Sequence, residues 1–296
     1  MKKHSNHIKR TREDWAVDIA VTVIMTIVSL LALIPLLHVV SKAFSSEWAL
    51  ISGNVTIFPR GLQFDSFRYV ISSGTFMMSF KNSLIVTLLG TLLTVFVTAL
   101  TAYPLSKSNL PFRKPILLIF VFTMLFSGGT IPTYIIMRQL KLTNTLRVLI
   151  MQGAINVYCM LMIKSFYESL PDSIEESARI DGASNLTIWV RIVLPLSTPV
   201  IATVTLFVAV ALWNNYFWPV IFNTRTSLKT LPVYLRDIVV DNTDDFSYKS
   251  SDTMMNLLPE ALRSATIVAS TLPILILYPF LQKYFIKGAL IGAVKG

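Results

Sequence analysis

The chain has 296 residues, of which 53% are hydrophobic and only 14% are charged. Soluble domains usually carry about 25% charged residues, so this composition excludes an ordinary soluble domain. The net charge of +10 would suit a nucleic-acid partner, but basic residues that flank membrane spans beside anionic lipid explain it better.

Six long windows of the chain contain no Asp, Glu, Lys or Arg. In order they are 19–41, 82–106, 115–137, 148–163, 192–224 and 264–282. A helix needs about 20 apolar residues to cross the hydrocarbon core, and only the fourth window, with 16 residues, falls clearly short. That window can still span if Arg147 and Lys164 extend towards the two surfaces. The strands of a membrane β-barrel alternate in polarity, and residues 84–89 do not. We therefore predict an all-α integral membrane protein with six transmembrane helices.

The amino end decides the predicted orientation. It carries a basic cluster before the first window, formed by Lys2, Lys3, Lys9, Arg10 and Arg12. Basic residues beside a first span favour the cytoplasmic side, and the short basic turn 107–114 agrees. A cleaved signal peptide is the alternative, but its apolar core would be shorter than this window. We predict that both termini lie in the cytoplasm.

The inner loop between the fourth and fifth windows reads as two short helices joined by a glycine. Ser173, followed by Glu176 three residues later, predicts a capping box at the start of the first helix. Gly182 predicts the left-handed residue that ends it. Ser184 can cap a second helix, which Pro195 would limit.

These two short helices and the glycine that joins them form a bend that we call the elbow. Its side chains suit a contact with another protein. Ser177 and Ala178 are small and would let the elbow enter a partner's cleft. Glu175 and Glu176 would offer negative charge to a basic partner.

This loop resembles the "EAA" loop of binding-protein-dependent ABC importer permeases, which docks on the ATPase subunit. Residues 175–183 read Glu-Glu-Ser-Ala-Arg-Ile-Asp-Gly-Ala, a form typical of the carbohydrate-uptake branch, and the match departs only at Ser177, where alanine is usual. The resemblance implies that the ATPase-coupling residues are Glu175, Glu176, Ser177, Ala178, Asp181, Gly182, Ala183, Ile192 and Pro195.

Other stretches extend the resemblance over most of the chain beyond the first span. Residues 80–83, 132–134, 142–145 and 213–219 look familial. Residues 126–132 and 282–296 are typical of a Gram-positive subgroup that imports complex oligosaccharides with lipid-anchored binding proteins. Pectin- or uronate-derived oligosaccharides are candidate substrates by that kinship.

The resemblance implies the type I ABC importer transmembrane fold. Its divisions would be 1–78 for the basic tail, first helix and outer loop, 79–286 for the permease core with the coupling loop 165–195, and 287–296 for a cytoplasmic tail. The expected partners are a second homologous permease, two ATPase subunits, an extracellular lipid-anchored solute-binding protein, the oligosaccharide and membrane lipid, with no nucleic acid. The expected location is the plasma membrane of a Gram-positive bacterium.

Substrate contacts are expected from aromatic and amide side chains in the late windows. Aromatic faces can lie against a sugar ring, and amides can bond its hydroxyls. The candidates are Asn156, Tyr158, Trp213, Asn214, Asn215, Tyr216 and Trp218. An aromatic belt at the outer membrane interface is the alternative for the tryptophans and tyrosines, and a bond between helices is the alternative for the asparagine in the fourth window.

The sequence offers no chemistry of its own. It has three histidines and one cysteine, no metal-ligand spacing, no GxSxG motif and no phosphate-binding glycine loop with lysine. We therefore expect a transport subunit without catalytic, metal or cofactor sites, with ATP and Mg²⁺ held by the partner ATPase. The alternatives are an ion-coupled transporter, which the charge-free windows disfavour, a membrane-embedded enzyme, and an ABC permease for a non-sugar solute.

Overall fold

The computed structural model of the chain describes residues 12–240 and 259–293, with side chains described over 13–239 and 259–276. Most of the predicted orientation cluster, namely Lys2, Lys3, Lys9 and Arg10, lies outside the described residues. The side chains of the predicted cytoplasmic tail, 287–296, also lie outside them.

The described residues are helical, as predicted, and contain no strand. The first half contains α1 Arg12–Ala43, α2 Glu47–Ile51, α3 Asp65–Ser72, α4 Gly74–Ser106, α5 Arg113–Leu125, α6 Thr130–Gln139, α7 Leu146–Met151 and α8 Val157–Tyr167. The second half contains α9 Asp172–Ile180, α10 Asn185–Ile188, a π-helical turn Trp189–Val193, α11 Leu194–Leu196, α12 Thr198–Trp213, α13 Phe217–Phe222, a 3₁₀ turn Thr226–Leu228, α14 Leu231–Val240 and α15 Pro259–Ala293.

Among the described residues, 12–70 and 259–268 form one compact unit. After α1 the chain folds back on itself, because the Ser46 N–H donates to the Arg60 carbonyl at 3.0 Å and the Gln63 N–H donates to the Phe44 carbonyl at 3.0 Å. An ion pair of 2.5 Å between Lys42 Nζ and Glu260 Oε1 joins the end of α1 to the first turn of α15. Among the described residues, nothing buries the most apolar 18-residue stretch of α1.

The second unit, 71–240 with 269–293, is built around α4. This helix packs against α7, α8, α12 and α14. Small residues on α4 allow the close approach, as at Gly90, where an added Cβ would lie 2.8 Å from Leu212 Cδ1 on α12. Helix association in membranes depends on such close packing. The C-terminal part of α4, from Ala99 to Leu105, contributes to the main apolar core with α8, α12 and the π-helical turn.

The first two charge-free windows form single helices, α1 and α4, and the next three are interrupted. The third is broken between α5 and α6, which are bent by 111°, and the fifth is broken before α12, with a bend of 80°. The fourth divides into α7 and α8. By length and composition, the described residues contain two helices that could span a membrane, or up to four if each bent pair is one span.

Two of the three interruptions have a cause in the local sequence, and the third lies against another helix. Gly129 takes a left-handed φ of +88° before α6, and Pro199 has no N–H to continue a helix through Ser197. The break between α7 and α8 lies against α4, where the Thr94 hydroxyl donates to the Gly153 carbonyl at 2.9 Å. Irregular backbone is tolerated at membrane depth only where protein or water satisfies its polar groups. Thr94 of α4 therefore stabilises the break between α7 and α8.

Candidate functional site

The helix α9 begins two residues earlier than the predicted capping box requires. Its N-cap is Pro171, with no side-chain capping bond, so the prediction for Ser173 and Glu176 is wrong. The ring of Pro171 fixes its φ, which is −62°, its ψ of 128° is extended, and the chain enters the helix directly after it. Ser173 instead uses its carbonyl, which accepts a 2.8 Å hydrogen bond from the Ser177 hydroxyl.

The end of this helix is the predicted glycine turn. Gly182 has φ +81°, which confirms its left-handed conformation. The Gly182 N–H donates to the Arg179 carbonyl and the Ala183 N–H donates to the Ala178 carbonyl, both at 3.0 Å. This pair of bonds is the Schellman motif, which satisfies the last carbonyls of the helix. The bend is therefore a defined turn with its backbone bonds made.

The second arm of the elbow also begins as predicted. The Ser184 hydroxyl accepts a hydrogen bond from the Thr187 N–H at 3.3 Å, which caps α10. The helical path continues through the π-helical turn and α11 before it breaks at Ser197. Ile192 is half-buried on this arm and Pro195 is exposed.

The tip of the elbow presents an exposed surface on both sides of the turn. Glu176, Ser177, Asp181 and Gly182 are exposed, and Ala178 and Ala183 are half-buried. Two large apolar side chains stand beside them: Ile180 is 86% exposed and Leu186 is 63% exposed. Sequence analysis missed these two, although an apolar residue on either side of a helix-ending glycine in a polar loop was a usable signal.

Glu175 does not share that surface. It is 8% exposed, and its carboxylate forms an ion pair with Lys107 and lies 3.7 Å from the Arg179 guanidinium. The Tyr103 hydroxyl donates to its Oε2 at 3.5 Å. The carboxylate is satisfied within this chain, whereas Glu176 faces outward one residue later.

The candidate substrate contacts separate into packed and exposed side chains. Trp213 is buried, with its ring 6.0 Å from that of Phe80. Trp218 is half-buried and stacks on Phe222 with ring centroids 5.3 Å apart, and Phe222 in turn stacks on Tyr134 at 6.2 Å. These tryptophans stabilise the packing of α12 and α13.

The remaining candidates have local partners or exposed rings. The Asn156 side chain accepts from the Cys159 N–H at 3.0 Å and caps α8, Asn214 donates to the Val210 carbonyl at 2.9 Å, and Asn215 accepts from the Trp218 N–H at 3.3 Å. Tyr158 is 59% exposed and Tyr216 is 36% exposed. Of the seven, the two tyrosines keep exposed rings that a solute could contact.

Comparison with known proteins identifies the family of the chain. Residues 76–290 match the family described as binding-protein-dependent transport system inner membrane component. Protein LplC of Bacillus subtilis (strain 168) is 39% identical over 295 residues, which cover 99% of both chains. The polygalacturonan/rhamnogalacturonan transport system permease protein YtcP of the same organism is 38% identical, over 90% of this chain and 94% of the relative.

A solved structure extends the similarity to the whole fold. One chain in the crystal structure of a bacterial ABC transporter involved in the import of the acidic polysaccharide alginate superposes with a TM-score of 0.88 at 32% identity. The match covers 93% of this chain and 99% of that one. The family resemblance of the inner loop is thus confirmed, and the chain is a membrane protein that belongs to the inner-membrane permease family of binding-protein-dependent ABC importers.

Proposed function

We propose that this permease imports oligosaccharides and that the elbow 172–196 receives the force generated by a partner ATPase. The observation that carries the proposal is the exposed tip on a fully capped turn. Glu176, Ile180 and Leu186 offer one charge and two apolar side chains on a backbone whose ends are held by hydrogen bonds. Such a rigid, protruding surface suits a protein partner better than water.

The proposed assembly contains a second, homologous permease and two ATPase subunits. ATP and Mg²⁺ would be held by the ATPases, and this chain would hold no cofactor. Closure of the ATPase pair on ATP would displace the two elbows and rotate the spans, which opens the path towards an extracellular, lipid-anchored binding protein. Hydrolysis would return the path to its inward state.

The proposed topology has six spans with both termini in the cytoplasm. The support is that α1 and α4 have the length of full spans, and that each bent pair can count as one span broken at a defined residue. The fourth and sixth windows would supply the other two spans. This arrangement puts the elbow on the cytoplasmic face, where an ATPase can reach it, in the plasma membrane of a Gram-positive bacterium.

The proposed substrates are uronate-containing oligosaccharides such as fragments of pectin. The support is that one relative is named for polygalacturonan and rhamnogalacturonan transport, and the matching solved transporter is described as importing an acidic polysaccharide. Uptake of labelled galacturonate oligomers by cells that carry the complete importer tests the substrate. Uptake of neutral oligosaccharides in preference to these would contradict it.

Exchange of charge at the elbow tests the ATPase contact. Glu176→Lys should lower recovery of the ATPase with the purified permease, because it opposes a basic partner surface. Unchanged recovery would count against the contact. Uptake that survives ATP depletion but stops when ion gradients are dissipated would favour an ion-coupled transporter instead.

A further inference from the structure

Two carboxylates of the second unit, the buried Glu175 and the exposed Glu168, each meet two cationic groups. Glu175, on α9, meets Lys107 and Arg179. Glu168, which follows α8, meets Arg113 and Lys164. The two clusters use the same chemistry, but only the first one includes a residue of the elbow. Glu175 therefore provides the site, and Glu168 provides a control with the same charges outside the elbow.

The Glu175 cluster joins the elbow to the end of α4. Lys107 is the C-cap of α4, and its ammonium lies 4.8 Å from the centre of the Tyr103 ring in the last turns of the same helix. Both residues contact the Glu175 carboxylate. Because α4 packs against α7, α8, α12 and α14, a force that reaches the end of α4 is passed to the helices around it.

The second arm of the elbow is attached to the same stretch of α4. Trp189 is buried, and its ring lies 6.4 Å from that of Tyr103 and 6.1 Å from that of Phe96. Its indole N–H also donates to the Tyr167 hydroxyl at 3.3 Å. The elbow is thus held on both sides of Gly182, by an ion pair on one arm and by aromatic packing on the other.

We propose that Glu175 is a positioning residue that ties α9 to the inner end of α4, so that displacement of the elbow moves α4 with it. This inference rests on the proposed coupling function and changes the role expected for Glu175. Its charge is used inside the permease, and the ATPase-facing charge of this pair of glutamates is Glu176 alone. Without the ion pair, α9 could pivot between Pro171 and Gly182 and absorb the displacement.

A distance measurement in the assembled importer tests the tie directly. Spin labels at Ser173→Cys on α9 and Asn109→Cys just beyond α4 occupy exposed positions. In the otherwise unaltered importer, one narrow distance distribution should persist when ATP and Mg²⁺ are added, because the two segments move together. In Lys107→Met/Glu175→Gln, the distribution should broaden and shift on addition of ATP. The double variant leaves no unpaired buried charge, so it should reach the membrane even where the single variants do not.

Transport efficiency gives a second, functional measurement. Galacturonate oligomer uptake per ATP hydrolysed should fall about fivefold or more in Glu175→Gln, and Lys107→Met should match it. The double variant should be no worse than either single variant, since all three remove one interaction. Glu168→Gln, which removes the equivalent ion pairs beyond α8, should leave the label distance and its response to ATP unchanged.

The outcomes separate the inference from the proposed function on which it rests. A narrow distance in the double variant, unaffected by ATP, would overturn the tie, as would loss of ATPase recovery in Glu175→Gln. Absence of an ATPase from the purified, unmodified assembly would contradict the proposed coupling function itself. The label distances are independent of the substrate, so they remain informative if the transported solute is not a galacturonate oligomer.

Discussion

The elbow 172–196 and the aromatic segment 213–222 both carry side chains suited to binding. The two regions differ in whether those side chains are exposed or packed. In the elbow the backbone is held by caps, and the side chains at the tip are exposed. In the aromatic segment Trp213 and Trp218 pack against other rings of the same chain. The contrast shows that a residue type suited to binding identifies a contact surface only where packing leaves it free.

The largest expected effect is at the turn of the elbow. Gly182→Val should abolish coupled uptake while the protein still accumulates in the membrane, because a β-branched residue at φ +81° is strained. Apart from the two chain neighbours, no atom of the described residues lies within 4 Å of an added Cβ at this position, so the effect would come from backbone conformation. Uptake and membrane abundance are the measurements.

Gly182→Asn is the matched variant, because asparagine tolerates the left-handed conformation. It should retain most of the uptake. If the asparagine and valine variants are equally impaired, the conformational explanation is wrong.

In the aromatic segment we expect a loss of stability. Trp218→Ala should lower the stability of the purified assembly by about 2–3 kcal/mol, which is below the ~3–5 kcal/mol typical of a fully buried tryptophan because Trp218 is half-buried. Thermal unfolding in detergent measures it. Trp218→Phe keeps a stacked ring against Phe222 and should recover most of the loss. An unchanged melting temperature with lost sugar uptake would instead make Trp218 a substrate contact.

A smaller effect is expected at the apolar tip of the elbow. Ile180→Ala should weaken association with the ATPase by roughly tenfold, since truncation of an exposed apolar side chain that becomes buried in an interface costs about 1–2 kcal/mol. Titration of purified ATPase onto the permease measures the affinity. The melting temperature of the permease should not change, because Ile180 is 86% exposed in this chain.

The smallest expected effect is at the exposed ring of the aromatic segment. Tyr216→Ala should raise the KM for oligosaccharide uptake by about twofold to tenfold if the ring lies against a sugar, which corresponds to one aromatic contact worth about 0.5–1.5 kcal/mol. The melting temperature should stay the same. An unchanged KM would assign Tyr216 to the aromatic belt at the interface.

Local sequence predicted the parts of the elbow that depend on neighbours along the chain. The Gly182 turn and the Ser184 cap are bonds between residues three to five positions apart, so residue type and spacing were sufficient to predict them. The capping box failed because Pro171 imposed an earlier helix start, which is a competing local rule. The seven substrate candidates were chosen by residue type, and packing separated them.

The amino-acid sequence by itself determined that the described chain is helical, where the apolar windows lie and where the elbow bends, because composition and short-range hydrogen bonding control these features. Only the tertiary structure decided which glutamate turns inward, what stabilises the break in the fourth window and which tryptophans are packed. Glu175 and Glu176 are adjacent on one helix, and the position of α4 makes one of them an internal ion pair and leaves the other exposed. Contacts between residues distant in the chain, such as that of Thr94 with Gly153, have no signature in local sequence.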